Sequence, residues 1–228
     1  MVEWNYTTSV AVFGILSREG KTDMERLTIQ VGPYEVNCTL LADAGRAWIV
    51  DPGHEAGRII GLLADRGLEP AAILLTHAHF DHVGGVPGLQ KAFPDLPVYV
   101  HPSDRAVLSH PMNQVPPDYP AVGLPRNLAD ATSLSERGVR VIETPGHTPG
   151  GVCYYFADEK LLLSGDTLFA GSIGRTDLPG GDMTALMKSL KSLAALPDDT
   201  LVIPGHGPHT TIAGERRDNP FLRTVARL

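Results

Sequence analysis

The sequence has little cysteine, few aromatic residues and no long apolar run, and each shortage excludes a class of protein. Two cysteines, Cys38 and Cys153, cannot build the disulfide framework of a small secreted domain, and we predict that both are buried as small apolar side chains. The longest apolar runs, such as residues 71–75, are too short to span a bilayer. The first 20 residues lack the basic leading region of a secretory signal. We therefore expect a cytoplasmic protein without a membrane partner.

Basic residues are in the minority, with 19 Lys and Arg against 26 Asp and Glu and a formal net charge of −7. Nucleic-acid phosphates bind to basic faces, so we expect no nucleic-acid partner. A chain of 228 residues, 43% hydrophobic, suits one sizeable domain. We expect residues 24–228 to form that domain and residues 1–23 to be an N-terminal extension without an assigned role. The oligomeric state has no signal in the sequence.

Strand-like and helix-like segments alternate from about residue 25 onward. Short apolar runs bounded by Gly, Pro or Asp predict strands at residues 26–31, 37–43, 47–51, 71–76, 98–100, 139–143, 152–156, 160–164 and 200–203. Helical periodicity predicts helices at residues 56–66, at residues 83–93 after the glycines of that segment, and at residues 182–196 with Asp182 as the N-cap. Residues 111–126 contain five prolines, which disfavours regular structure there. This segment is either a surface connection or a wall over a site, with Tyr119 at its middle.

One short stretch, "THAHFDH" at residues 76–82, crowds together four side chains that bind metals: His77, His79, Asp81 and His82. Packing alone does not explain the cluster, because buried imidazoles and carboxylates without partners cost free energy. In an extended segment the residues at positions 77, 79 and 81 would share one face. We predict that a bend after position 78 or 80 lets the motif supply two adjacent metal ions.

Three further ligand-type side chains follow predicted strands in glycine-containing loops: His147 in "TPGHTPG", Asp166 in "SGDT" and His206 in "PGHG". Rigid strands with ligands at their ends bring distant residues into one site. Imidazole nitrogens and carboxylates suit zinc, iron or manganese. The seven side chains are too many for one tetrahedral ion. They predict two divalent ions that share a carboxylate, with zinc as the first choice and iron or manganese as alternatives.

These motifs, in this order and spacing, resemble the metallo-β-lactamase superfamily, as do "GDTLF" at residues 165–169 and "IVDPG" at residues 49–53. The resemblance extends from about residue 27 to residue 222. It implies an α/β (α+β) four-layer αβ/βα sandwich, in which two mixed sheets pack face to face with helices outside. The site would lie at one edge of the sandwich.

The resemblance also implies roles for the ligands. One metal would be held by His77, His79 and His147, and the other by Asp81, His82 and His206, with Asp166 bridging. A hydroxide between the ions would be the nucleophile, with Asp81 and Asp166 as the catalytic carboxylates. Asp51 and Thr76 would not bind metal but would support a ligand loop from behind.

Within the superfamily, residues 165–182 and 205–222 resemble the compact bacterial glyoxalase II-like hydrolases. Such enzymes cleave the thioester of S-lactoylglutathione, so a small-molecule thioester is the implied substrate. Larger glyoxalase II enzymes carry a Lys and a Tyr that hold glutathione, where this chain has Arg175 and Asp177. Arg175 is therefore a candidate clamp for a substrate carboxylate. Tyr119 is a candidate contact in the substrate pocket.

Several alternatives share the fold. A persulfide dioxygenase would use a single iron held by His77, His147 and Asp166, and the sequence "GRTD" at residues 174–177 is shared with that group. A lactonase would use the same hydrolytic centre. The absence of the zinc-ligand cysteine of the common lactamase pattern disfavours a β-lactamase, and the acidic balance disfavours a nuclease. Structural zinc sites are usually closed and rich in cysteine, which disfavours a non-catalytic metal scaffold.

Overall fold

The structure is a computed structural model that describes residues 24–111, 113–137 and 139–225. The predicted extension, residues 1–23, lies outside the described residues. The strands are β1 (Glu25–Val31), β2 (Val36–Asp43), β3 (Arg46–Val50), β4 (Glu69–Leu74), β5 (Val98–Val100), β6 (Leu128–Asp130), β7 (Arg140–Glu143), β8 (Val152–Phe156), β9 (Leu161–Gly165), β10 (Leu168–Phe169), β11 (Ser172–Ile173), β12 (Leu201–Pro204) and β13 (Thr210–Thr211). The helices are α1 (Ala56–Asp65), α2 (Phe80–Val83), α3 (Val86–Ala92), α4 (Arg105–Leu108), α5 (Met183–Leu193), α6 (Ile212–Asp218) and α7 (Pro220–Val225), with 3₁₀ turns at Pro102–Asp104 and Ala131–Arg137.

Two mixed sheets form the centre of the molecule. The first has the strand order β1-β2-β3-β4-β5-β6, and the second has the order β13-β12-β9-β8-β7. In the first sheet β3 to β6 are parallel and β1 to β3 antiparallel. In the second sheet only the β9–β12 pair is parallel. Strands β10 and β11 form a separate short ribbon.

The alternation of side chains along the strands explains the layers. In β2, Leu40 packs towards α1 and α3, whereas Leu41 packs between the two sheets. In β8, Tyr154 faces the other sheet and Tyr155 faces the layer that contains α5 to α7. Strands buried on both faces read as continuous apolar runs. The result is the four-layer αβ/βα sandwich that was expected, and the predicted fold class is confirmed.

Most predicted elements are present with bounds shifted by one or two residues, and the middle helix follows its glycines. In the segment 83–93 the helix α3 begins at Val86, directly after Gly84 and Gly85, as predicted, and the two glycines separate it from the short helix α2. A Cβ atom on Gly85 would lie 2.6 Å from the carbonyl oxygen of Pro52. The glycine pair therefore permits a close approach to the loop that follows β3. Residues 212–225, for which no helix was expected, form α6 and α7.

The strands that precede the ligand motifs end at one edge of the sandwich. Strands β3 and β4 run parallel, and β7, β9 and β12 share one direction because β8 is antiparallel to both β7 and β9. Backbone hydrogen bonds connect the two sheets there: the Val152 amide donates to the Thr76 carbonyl at 2.8 Å, and the Asn37 amide donates to the Gly205 carbonyl at 2.8 Å. Loops from both sheets consequently meet at this edge.

Two further observations concern the cysteines and the apolarity of the helices. Cys38 and Cys153 are both free and buried, as predicted. Among the described residues, no helix has the length and apolarity needed to cross a bilayer.

Asp182 is the N-cap of α5, as predicted, and its side chain accepts a hydrogen bond from the Ala185 amide at 3.0 Å. Asp182→Ala would remove this acceptor and should lower the free energy of unfolding by about 1 kcal/mol. Urea denaturation followed by circular dichroism measures the change. Asp182→Asn is the matched control, because Asn also caps helices well. If both variants lost equal stability, charge rather than capping would be responsible.

Candidate metal centre

The "THAHFDH" motif changes conformation in its middle. His77 and His79 lie in extended chain, and His79 is the N-cap of the short helix α2, which carries Asp81 and His82. The amide of His82 donates to the carbonyl of His79 at 2.9 Å, which closes this turn. The bend therefore falls between the two positions at which it was expected, and it separates the first two histidines from the aspartate and the third histidine.

Three loops from the second sheet bring the distant ligand-type side chains to the motif. His147 Nε2 lies 2.9 Å from His79 Nδ1, and His206 Nε2 lies 3.2 Å from Asp81 Oδ2. Asp166 lies between these two pairs. Its carboxylate oxygens are 3.5 Å from His147 Nε2, 3.7 Å from His206 Nε2 and 3.4 Å from His82 Nε2. All seven side chains selected from the sequence therefore meet in one place.

The ligand atoms form three overlapping groups in which the atoms lie within 4.8 Å of one another: His77, His79 and His147; His77, His82 and Asp166; Asp81, His82 and His206. Two of the atoms, His77 Nε2 and Asp166 Oδ1, are buried without a hydrogen-bond partner. Buried polar atoms in native proteins are almost always satisfied. Unsatisfied lone pairs among imidazoles and carboxylates are the arrangement that divalent cations require, so these residues fit a pair of metal ions.

Hydrogen bonds on the outer ring nitrogens set the orientation of three histidines. His147 Nδ1 lies 2.7 Å from the Arg175 carbonyl oxygen, and His206 Nδ1 lies 2.8 Å from the Tyr34 carbonyl oxygen. A carbonyl accepts only, so each Nδ1 carries the proton that it donates, and each Nε2 is directed inward toward the other ligand-type side chains. The Thr76 hydroxyl donates to Asp51 at 2.6 Å and therefore accepts from His77 Nδ1 at 3.1 Å. His77 Nε2 is thereby left as a lone pair.

Asp51 and Thr76, which were expected to support a ligand loop, lie behind the ligands. Asp51 accepts hydrogen bonds from the Thr76 amide at 2.8 Å and from the Thr76 hydroxyl. Its Oδ2 atom also lies 3.1 Å from His82 Nδ1. Asp51 adopts a left-handed backbone conformation with φ of 49°, which costs free energy for a residue with a Cβ atom and is concentrated at functional sites.

A buried carboxylate that sequence analysis missed, Asp104, connects two ligand loops. Its side chain accepts from the Ala78 amide at 3.0 Å, between His77 and His79. It also accepts from the Thr148 hydroxyl at 2.8 Å and from the Gly150 amide at 2.6 Å, beside His147. The residue is completely buried. No local pattern around "HPSD" distinguishes this aspartate from a helix cap, and the three donors come from segments remote in sequence.

The loop that carries His206 is held by a second missed residue. The Asn37 side-chain amide donates to the Pro204 and Gly207 carbonyls, each at 2.9 Å. Gly205 lies between them, and a Cβ atom there would lie 2.1 Å from Asp166 Oδ1 and 2.7 Å from His82 Cε1. Glycine is required at this position because any larger residue would displace ligand atoms.

Burial and the proximity of neighbouring groups determine which of the histidines are neutral and which carboxylates are ionised. Burial, together with neighbouring imidazoles, lowers the pKa of His77 well below its usual value and lowers the pKa of His79 to about 4. Both rings are therefore neutral near pH 7 and can offer lone pairs. Burial acts to raise the pKa of Asp166, but His82, His147 and His206 outweigh it and lower the pKa. The carboxylate is consequently ionised, as a metal ligand must be.

Two residues expected to contact substrate have other partners in the structure. Arg175 is exposed and forms a bidentate ion pair with Asp177, at 2.7 and 2.8 Å. Tyr119 is 1% exposed, and its ring packs against Tyr34, His54 and Phe80 with ring centroids 5.0–5.5 Å apart. The segment around Tyr119 is irregular apart from an isolated bridge between Val115 and Tyr119. Substrate contact by either residue remains a prediction.

A four-layer αβ/βα sandwich with seven imidazole and carboxylate ligands at one edge defines a class of metal-dependent hydrolases. The family model of the metallo-beta-lactamase superfamily matches residues 31–206. The chain therefore belongs to the metallo-β-lactamase superfamily, and it is a metal-dependent hydrolase of that superfamily.

Relatives with similar sequences extend over most of the chain. The chain is 38% identical over 200 residues to the probable metallo-hydrolase YqgX of Bacillus subtilis, covering 84% of this chain and 94% of the relative. It is 35% identical over 209 residues to the hydroxyacylglutathione hydrolase GloC of Haemophilus influenzae, covering 86% of this chain and 97% of the relative.

Two solved structures are also similar to this chain over most of its length. The B3 metallo-beta-lactamase BLEG-1 superposes with a TM-score of 0.77 at 39% identity, covering 87% of this chain and 99% of that one. TTHA1623, crystallised in a di-iron-bound form, superposes with a TM-score of 0.74 at 43% identity, covering 86% of this chain and all of the other. A di-iron neighbour leaves the choice between zinc and iron open.

Asp104→Asn should weaken metal binding, since an amide nitrogen would face hydrogen-bond donors that now bond to a carboxylate. We expect metal affinity to fall roughly 10- to 100-fold and the free energy of unfolding to fall by about 1–3 kcal/mol. Competition with a chromogenic chelator measures the affinity. Asp158→Asn, at an exposed turn between β8 and β9, is the control. Unchanged metal affinity in Asp104→Asn would show that the hydrogen bonds of Asp104 do not position the ligands.

Proposed function

We propose that the protein hydrolyses thioesters of small acids, with S-lactoylglutathione as the reference substrate. The observation that carries the proposal is the meeting of two ligand clusters at the single carboxylate of Asp166. His77, His79 and His147 would hold one divalent ion and Asp81, His82 and His206 the other, with Asp166 common to both. The pairing of nitrogen and oxygen ligands favours zinc, and iron or manganese also suit it.

When bound, two adjacent divalent ions supply Lewis acidity and an activated water at neutral pH. Side chains of the protein make the other contributions to catalysis. Asp166 fixes the spacing of the two clusters, because it lies within 3.7 Å of three histidines. The Asp81 carboxylate lies 3.2 Å from His206 Nε2 and would orient a water molecule and accept its proton. A thioester is a suitable substrate because its thiolate leaves without prior protonation.

The relatives support this substrate class. At 35% identity and 97% coverage, GloC of Haemophilus influenzae is described as a hydroxyacylglutathione hydrolase, and the ligand motifs of this chain resemble those of glyoxalase II-like enzymes. The Arg175–Asp177 ion pair at the rim of the site gives a candidate for recognition of a substrate carboxylate, provided that the substrate displaces Asp177.

A specific observation favours a second candidate, the hydrolysis of β-lactams. BLEG-1, described as a B3 metallo-beta-lactamase, is 39% identical to this chain and superposes with a TM-score of 0.77. The missing cysteine ligand therefore does not exclude this activity. Hydrolysis of a β-lactam such as nitrocefin, assayed on the same metal-loaded sample, distinguishes the two candidates.

Purified protein should contain close to two metal ions per chain and should hydrolyse S-lactoylglutathione. Metal content is measured by inductively coupled plasma mass spectrometry, and thioester cleavage by absorbance. Removal of the ions with a chelator should abolish turnover, and adding zinc or iron should restore it. One iron per chain, no thioester cleavage and oxygen uptake with glutathione persulfide would instead indicate the dioxygenase.

Arg175→Ala should raise KM about tenfold and lower kcat by a smaller factor. The substitution removes a contact with the substrate carboxylate that stabilises the bound substrate and the transition state equally. Asp177→Asn should have the opposite effect on KM, since it frees the guanidinium for the substrate. Steady-state kinetics on both variants gives the comparison. Equal falls in kcat and kcat/KM for Arg175→Ala would argue for a role in the transition state, and loss of metal would reveal a structural role through the His147 hydrogen bond.

A further inference from the structure

An apolar cavity of about 260 Å³, which we call the side cavity, opens beside the metal centre. Its walls come from four separate segments, and six of the residues are apolar: Phe80, Ala106, Val107, Pro149, Leu178 and Pro179. Phe80 follows His79 in the ligand motif, Ala106 and Val107 lie on α4, and Leu178 and Pro179 follow the Arg175–Asp177 pair. The cavity is therefore built around the same loops that build the metal centre.

The side cavity connects directly with the reacting region because His79 lines it. His79 Nδ1 lies 2.9 Å from His147 Nε2 in the ligand cluster, so a single side chain borders both the side cavity and the metal centre. A group in the side cavity would thus lie close to the metal ligands.

The charge of the residues that line the side cavity indicates which part of a thioester the cavity can bind, the acyl group or the glutathione. None of the described residues that line the side cavity is a lysine, arginine or carboxylate, and its polar side chains are His79, Ser103, His110 and Asn113. Glutathione carries two carboxylates and an ammonium group, which need charged partners when they leave water. An apolar acyl chain needs none and gains free energy on leaving water.

We propose that the side cavity binds the acyl group of the substrate and that the protein prefers thioesters with a straight apolar acyl chain over lactoyl thioesters. This inference rests on the proposed thioesterase function and adds the acyl specificity. Sites for drug-sized ligands measure roughly 300–1,000 Å³. A cavity of about 260 Å³ consequently suits a chain of a few carbon atoms and not a long fatty acyl chain.

The aromatic mouth of the site is consistent with an apolar substrate. Phe80, which lines the side cavity, also packs edge-on against Tyr34, with ring centroids 5.4 Å apart, and Tyr34 is 48% exposed. Phe80 therefore connects the side cavity with an exposed tyrosine, a type of residue that presents an apolar ring together with a polar hydroxyl.

The first test compares acetyl, butyryl and hexanoyl thioesters of N-acetylcysteamine, which share one uncharged leaving group. We expect kcat/KM to rise by about fourfold for each added methylene, the factor for burial of a methylene group, and to level off when the cavity is full. Turnover that is equal for all three chains, or that falls with length, would overturn the acyl assignment while leaving the thioesterase function intact.

A substitution in the lining tests whether the preference for longer acyl chains arises in the side cavity. Ala106 is an exposed residue of α4 that lines the side cavity, so Ala106→Phe fills the space without disturbing the core. It should remove the preference for hexanoyl over acetyl. Ala64→Phe, at an exposed position of α1 outside the cavity, is the matched control and should retain the preference. Equal chain-length profiles for Ala106→Phe and the unsubstituted protein would refute the proposal.

A binding measurement keeps the inference testable if no thioester is cleaved. Titration calorimetry of the metal-loaded protein with acetate, butyrate and hexanoate should give dissociation constants that fall with chain length, and Ala106→Phe should abolish the trend. If this trend appears without turnover of any thioester, the proposed function fails and the apolar cavity stands. If affinity is independent of chain length, the cavity assignment fails whatever the turnover.

Discussion

The centre of this protein depends on hydrogen bonds that fix the outer nitrogens of its histidines. Carbonyl oxygens of Arg175 and Tyr34 accept from His147 and His206, and the Thr76 hydroxyl accepts from His77. Each bond sets the tautomer and directs the other nitrogen inward. Without them the imidazoles would be free to rotate and to pair with each other or with water. The neutral state that burial imposes on His77 and His79 then makes lone pairs available in a fixed arrangement.

Holding these bonds in place requires loops from both sheets to meet without gaps. Asp104 accepts from donors in two ligand loops at once, and Asn37 fixes the loop of His206 from the first sheet. Close approach excludes side chains at Gly205, and Asp51 adopts an unfavourable left-handed conformation beside the ligands. The cost of strain and of buried lone pairs must be offset by the packing of three apolar clusters and by any bound cation.

The ligand cluster and the surface around it determine different aspects of function. The cluster resembles the centres of many hydrolases, because hydrolysis of thioesters, lactones and β-lactams calls for the same Lewis acid and the same water. Discrimination among them falls to the surroundings: the apolar side cavity beside His79, the exposed aromatic ring of Tyr34 and the ion pair at Arg175. These features lie in loops and turns, whereas most of the ligand-type side chains directly follow strands of the two sheets. Loop variation on a constant scaffold is how one fold supports several activities.

The sequence by itself determined most of the strands and the set of ligand-type residues, because local patterns encode both, and the resemblance of its motifs to a known superfamily implied the layer architecture. Apolar runs ending in glycine-containing loops locate the strands, and no packing requirement explains "HAHFDH" or the histidines in "TPGHTPG" and "PGHG". Only the tertiary structure decided what lies behind and beside the ligands. Asp104 joins donors 26 to 46 residues distant in sequence, Tyr119 is buried among aromatic rings, and the side cavity is assembled from four segments. Such features depend on distances between loops of different sheets, which no local pattern encodes.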